Sequence, residues 1–214
     1  MKKVCTPVCK TVATPINGIT GGGALTSFVV AASNDNGWFT QDQYYDNSPP
    51  TSYGSKSSGG SIVTAGMTFY SYQNMYRFRQ VFFRFTNVTI PAGSTISSAI
   101  LKIDWEAGSE RTFRINGFDL DDVSQPSSGS DVNHTNHTTD NVSWTVPSTA
   151  AIHDSPDIKT IVQEIVDRSG WDSGQAMMFG IWLPTDGHFS THNRGLNLID
   201  SSDGTDAQLD VTYS

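Results

Sequence analysis

The chain has 214 residues, with 21 acidic and 13 basic side chains and a formal charge of −8. No run approaches the ~18 apolar residues of a membrane span, and five Trp with 11% aromatics exclude a disordered chain. The acidic balance argues against a nucleic-acid binder, because a phosphate backbone is held by surplus Lys and Arg.

The charge is uneven along the chain. Lys2, Lys3 and Lys10 fall in the first ten residues, and no Asp or Glu occurs before Asp35, so residues 1–34 carry +3. The remainder holds 10 basic against 21 acidic residues, or −11. Met1–Lys3 have the charge of a signal n-region, but Val4–Pro15 is broken by Cys, Thr, Pro and Lys. No secretory signal is expected, since an apolar h-region is lacking. Pro7 and Pro15 hold their neighbours extended, and Gly21–Gly23 read as a hinge. Residues 1–23 are therefore predicted to form an extended arm, with Val4, Pro7, Lys10, Val12, Pro15 and Ile16 as its docking contacts. A basic arm beside an acidic body points to docking on a neighbouring copy or another acidic protein. Cys5 and Cys9 lack the second ligand pair of a zinc site and read as free thiols ahead of a local disulfide.

From residue 24 to 214 the pattern predicts one β domain. Strands are expected over Ser27–Ala32, Gly60–Tyr72, Tyr76–Phe85, Ile96–Trp105, Arg111–Phe118, Val142–Val146, Ala176–Leu183, Leu196–Ile199 and Gln208–Tyr213. The alternation is clearest in Ile96–Trp105, where Ile96, Ala99, Leu101, Ile103 and Trp105 share one face. Ile90–Gly93 is a turn by its Pro and Gly. Pro126–Asn141 has no periodicity and reads as a long loop, with His134 and His137 solvated.

One segment has a helical period. Ile158, Ile161, Val162, Ile165 and Val166 recur on one face. Ser155 is placed as N-cap, Pro156 at the first helical position and Gly170 beyond the end, so a helix is predicted over 156–168. Gln163 and Glu164 fall off the apolar face and are placed to bond backbone at the sheet edge. The expected fold is an all-β sandwich, jelly-roll-like, with one helix and the arm.

Chemistry-bearing clusters are sparse. Asp119, Asp121 and Asp122 are three carboxylates in four residues, a candidate calcium turn weighed against a plain acidic turn. Asp200, Asp203 and Asp206 form a weaker cluster of the same kind. His188 and His192 are four apart, but Pro184, Gly187 and Gly195 place them on a loop, against a helical zinc pair. No Gly-x-Ser-x-Gly elbow is present. Asp104, Glu106 and Glu110 offer a glycosidase pair only by proximity in sequence. Trp38, Tyr44 and Tyr45 are a candidate ligand surface, weighed against a role as core caps. No catalytic residue, cofactor or resident metal is predicted.

Phe82-Phe83-Arg84-Phe85-Thr86-Asn87-Val88-Thr89-Ile90-Pro91-Ala92-Gly93-Ser94-Thr95-Ile96 is followed by Ala99-Ile100-Leu101, and later by Val142–Pro147, Ser155–Ile158 and Val162–Trp171. This series resembles a β-sandwich module that recurs in large surface proteins of aquatic bacteria and in tailed-phage virion proteins. It is loosely similar to disaggregatase-related surface domains. The resemblance covers roughly residues 28–213 and implies the fold, with no catalytic set. Lys10–Ile16 resembles a short leader before modules of some phage appendage proteins. The implied function is a non-enzymatic virion protein, capsid decoration or tail appendage. Its expected partners are a major capsid or tail protein and further copies of itself, at the virion surface and without membrane contact. The alternative is a carbohydrate-binding module of a bacterial surface or biofilm protein, with a host glycan as ligand.

Overall fold

The computed structural model describes residues 23–44, 52–53, 62–70, 75–105, 110–127, 131, 136–182, 194–199 and 207–214. The chain is an all-β sandwich of two antiparallel sheets with a single α-helix among the described residues. Its strands are β1 (Ala24–Val29), β2 (Asn36–Tyr44), β3 (Ser52–Tyr53), β4 (Ile62–Tyr70), β5 (Met75–Phe85), β6 (Ile96–Trp105), β7 (Arg111–Phe118), β8 (His137–Val146), β9 (Ala151–Asp154), β10 (Met177–Trp182), β11 (Arg194–Ile199) and β12 (Ala207–Tyr213). The helix α1 spans Lys159–Val166.

The first sheet runs β1-β12-β6-β9, because β12 and β9 pair with the same residues Lys102 and Ile103 from opposite edges of β6. The second runs β2-β5-β10-β7-β8. β4 continues along the far half of β5 and carries β11. Among the described residues a single pair, Leu198 with Trp105, links β11 to β6 and joins the two sheets.

Strand alternation decides the core. Leu101, Ile103 and Trp105 of β6 and Leu209 and Val211 of β12 face Phe83 and Phe85 of β5, Phe113 and Ile115 of β7, and Phe179 and Ile181 of β10. The Trp105 ring stacks on Phe113 and meets Trp144 edge-on, with centroids 5.5 Å apart in both pairs. The second sheet also buries part of its outer face. Phe82, Phe118, Val123 and Met178 form a smaller cluster, roofed by the chain after β7, where Val123 N donates to Ala176 O and Val123 O accepts from Arg84 Nε.

The helix is shorter than the sequence predicts, and the reason lies at its start. Residues 155–158 run along β6 as a continuation of β9. Ser155 N donates to Leu101 O at 2.8 Å, and Ile158 N donates to Ala99 O at 2.8 Å. Ser155 Oγ accepts from Leu101 N, and Asp157 Oδ1 accepts from Ala99 N. Ser155 and Pro156 are thus spent on the sheet edge, and Ile158 is the N-cap, with no side-chain cap bond. Gly170 lies beyond the last turn, pressed against Asp121, where a Cβ would sit 2.2 Å from Oδ2.

Three further expectations change. β2, β3 and β9 form where no strand was expected; β2 gains its order from nine paired positions on β5. His137–Asn141, expected as loop, belongs to β8. His137 is half-buried, stacked on Trp182 with centroids 4.7 Å apart and edge-on to Phe118, not solvated. Pairing with β7 supplies the order that this polar stretch lacks by itself. Gly23, expected in the hinge, meets β12: a Cβ there would lie 2.0 Å from the Tyr213 carbonyl oxygen. That close approach needs glycine.

Candidate functional site

Two regions concentrate the polar and exposed features: the side of the sandwich closed by α1, and the opposite side, where β1 and β2 end the sheets.

On the α1 side, Ile161, Val162, Ile165 and Val166 are buried against the main core. The helix reaches β7 only because residue 117 is Gly; a Cβ there would stand 2.8 Å from both Ile161 Cγ2 and Ile165 Cδ1. Its polar residues bond each sheet. Gln163 Oε1 accepts from Ile96 N at 2.8 Å, and Gln163 Nε2 donates to Ser94 O at 3.0 Å. Glu164 accepts from Thr139 N at 2.6 Å and Asp140 N at 3.1 Å. These two N–H groups arise from a bulge. From Asn116 to Phe118 is two steps in β7, whereas their partners Asn141 and His137 are four apart in β8. The extra residues leave the ladder, and the Glu164 carboxylate takes up their donors. The expectation that Gln163 and Glu164 bond the sheet edge holds for both.

The acidic turn sits at the end of this helix. Asp119 Oδ1 accepts from Arg168 NH1, and Asp121 Oδ1 accepts from Arg168 Nε at 2.7 Å. Asp121 and Asp119 hold the Arg168 guanidinium above its ordinary pKa through these bonds. Asp122 is turned elsewhere, with φ 40°, and accepts from Ala176 N at 3.0 Å. The three candidate calcium ligands therefore serve two different protein partners. Among the described residues no group of three His, Cys, Asp or Glu is placed to hold a metal ion. Arg168, with Asp119, Asp140, Glu164 and Asp167, lines an open depression of about 600 Å³ over the helix.

Trp38 is half-buried and packs against the main core. Tyr44 ends β2, but its side chain lies outside the described residues, as does Tyr45. Also outside them are the arm contacts Val4, Pro7, Lys10, Val12, Pro15 and Ile16, and Glu106, His188, His192 and the 200–206 cluster. Asp104 is half-exposed on β6, and Glu110 is exposed just before β7.

On the open side, β1 is the first strand after the arm, and its sequence is Ala-Leu-Thr-Ser-Phe-Val. Among the described residues it pairs only with β12. Phe28 points inward, 8% exposed, while Leu25 is 65% and Val29 48% exposed on the outer face. Between them Ser27 Oγ donates to Asp210 Oδ1 at 2.6 Å. Gln208 Nε2 donates to the same oxygen at 2.6 Å, and Lys102 Nζ lies 3.0 Å from Asp210 Oδ2. Burial pushes the Asp210 carboxyl up, but the bonds from Ser27, Gln208 and Lys102 outweigh it and hold it below the ordinary carboxylate range. Sequence reasoning missed the exposed strip; the signal was present in a short uncharged strand with apolar residues on both faces.

The fold thus defines a structural class, an all-β sandwich closed on one side by a helix. No family model matches the chain, and a search of curated proteins finds no match.

Proposed function

We propose that this chain is a non-enzymatic structural protein of a tailed-phage virion, a capsid decoration or tail-appendage component that docks on its neighbours through residues 1–23. The observation that carries the reading is β1. The strand that receives the basic arm presents Leu25 and Val29 to solvent on an edge without charge or proline. An arm that enters such a strand adds contact area without a large body interface, and symmetry multiplies it. Deleting residues 1–22, which spares Gly23 and β1, should abolish binding to purified virions and leave the body's circular dichroism unchanged. Undiminished binding by the truncated chain would sink the arm's role. Purified particles free of this chain by mass spectrometry would remove the virion reading itself.

A second reading, a carbohydrate-binding module, draws on the half-exposed Trp182 and His137 stacked on the outer face of the second sheet. Aromatic faces of this kind stack on sugar rings. Trp38 is half-buried and packs on the core. Binding on a glycan array that Trp182→Ala abolishes is its test.

A further inference from the structure

We infer that β1 is a self-pairing edge: two copies join antiparallel through β1 on a twofold axis at Ser27, continuing the first sheet from one copy into the next. This rests on the reading of the chain as a self-assembling structural protein, and adds the surface and the register.

The other edges of the sandwich are each blunted. An exposed strand edge is a template for another chain, and proteins blunt it with charge, proline, bulges, brevity or a cover. β8 carries the bulge, with Glu164 bonded across it. β9 is four residues long, ends in Asp154 and passes into Pro156. β2 is partly covered by β3. Among the described residues β1 shows none of these devices: six residues, no charge, no proline and an unbroken register with β12.

The side chains are self-complementary about Ser27. An antiparallel twofold there sets Leu25 opposite Val29 of the second copy, and Thr26 opposite Phe28. Both exposed apolar side chains are then covered by each other on the outer face, twice per dimer. A slip of one residue would set apolar side chains against the wrong face. Opposed strands also place each copy's Gly23 beside Ala31 of the other. Residues 1–22, which carry +3, are attached at that Gly23, and the residues beyond 34 of the second copy carry −11. Charge complementarity and strand register thus select the same occupant, a second copy.

The test uses the full chain. Light scattering should give at least twice the 23.2 kDa chain mass, and the double variant Leu25→Lys, Val29→Lys should halve that mass with unchanged circular dichroism. Register is tested separately in a Cys5→Ser, Cys9→Ser background. Directly opposed Cβ atoms lie about 4.5–5.5 Å apart, near disulfide reach. Ser27→Cys should therefore cross-link to a covalent dimer, and Leu25→Cys should cross-link only when mixed with Val29→Cys. A mass unchanged by the double lysine variant, or Leu25→Cys cross-linking to itself in preference, would overturn the pairing. A monomeric wild type that still binds virions would overturn the pairing and leave the virion reading standing. A dimer that ignores virions would do the reverse.

Discussion

The two long sides of this sandwich are finished in opposite ways. On one, α1 lies across the gap between the sheets, buries four aliphatic side chains and bonds β6 through Gln163 and β8 through Glu164. Residues 155–158 complete the cover by satisfying β6 backbone. On the other, β1 ends the first sheet with an uncharged edge and two exposed aliphatic residues. Stability and association therefore reside on different sides. The helix side holds apolar burial and satisfied donors, so changes there should cost folding. The β1 side holds unburied apolar area, so changes there should cost assembly and spare the monomer.

The largest effect is expected at Gly117. Gly117→Val puts methyl groups where a Cβ alone already meets Ile161 and Ile165 at 2.8 Å. The helix must lift or the strand must shift, and overpacking of this kind should cost about 3 kcal/mol or more. Urea denaturation measures it; a loss below about 1 kcal/mol would mean that α1 is not seated on β7 as described.

Next comes Glu164→Ala. It strands the Thr139 and Asp140 N–H groups of the bulge, and removing a charged acceptor costs about 1.5–3 kcal/mol, less where water can replace it. Hydrogen exchange at those two amides should accelerate along with the drop in denaturation midpoint. Unchanged exchange would show that the bulge does not depend on the carboxylate.

Asp210 is the comparable anchor near the open side. Asp210→Asn weakens the bonds to Ser27 and Lys102 and should cost about 1–2 kcal/mol. Because the folded carboxyl titrates below its ordinary value, its contribution is complete above about pH 4. It falls away as pH drops through the lowered folded value. Thermal melts between neutral pH and pH 3 should therefore show an acid-side loss in wild type that is smaller in Asp210→Asn. Parallel curves would remove Asp210 as its source.

The smallest effect on folding is expected from Leu25→Lys. A 65% exposed side chain should change monomer stability by less than about 0.5 kcal/mol, measured at a concentration where the chain is monomeric. A larger loss would mean that Leu25 is already covered within one copy.

Much of the fold was legible. The bounds of β6 and β7 match the expected strands because their alternation is strong and both feed one core. Ile90–Gly93 turns as its residues require, with Gly93 at φ +76°, and Trp171 Nε1 anchors it by donating to Ile90 O at 3.1 Å. β2 was not legible: Asn, Gly, Gln and Asp in Asn36–Tyr44 mask a strand stabilised by its neighbour β5. Of the candidate site, the acidic turn was visible but its partner was not. Arg168 lies 47 residues from Asp121, and nothing local announces the pair.

The β class, the helical face with its two polar arms, the lack of an apolar run near membrane-span length and the split between a basic start and an acidic body can all be read from the amino-acid order. These follow from local period and composition, which each segment carries on its own. Folding alone sets the pairing of Asp119 and Asp121 with Arg168, the close approaches at Gly117 and Gly23, and, among the described residues, one closed sandwich side with β1 as an edge on the other. Those depend on which distant segments pack together, and no local pattern encodes a neighbour that arrives from elsewhere in the chain.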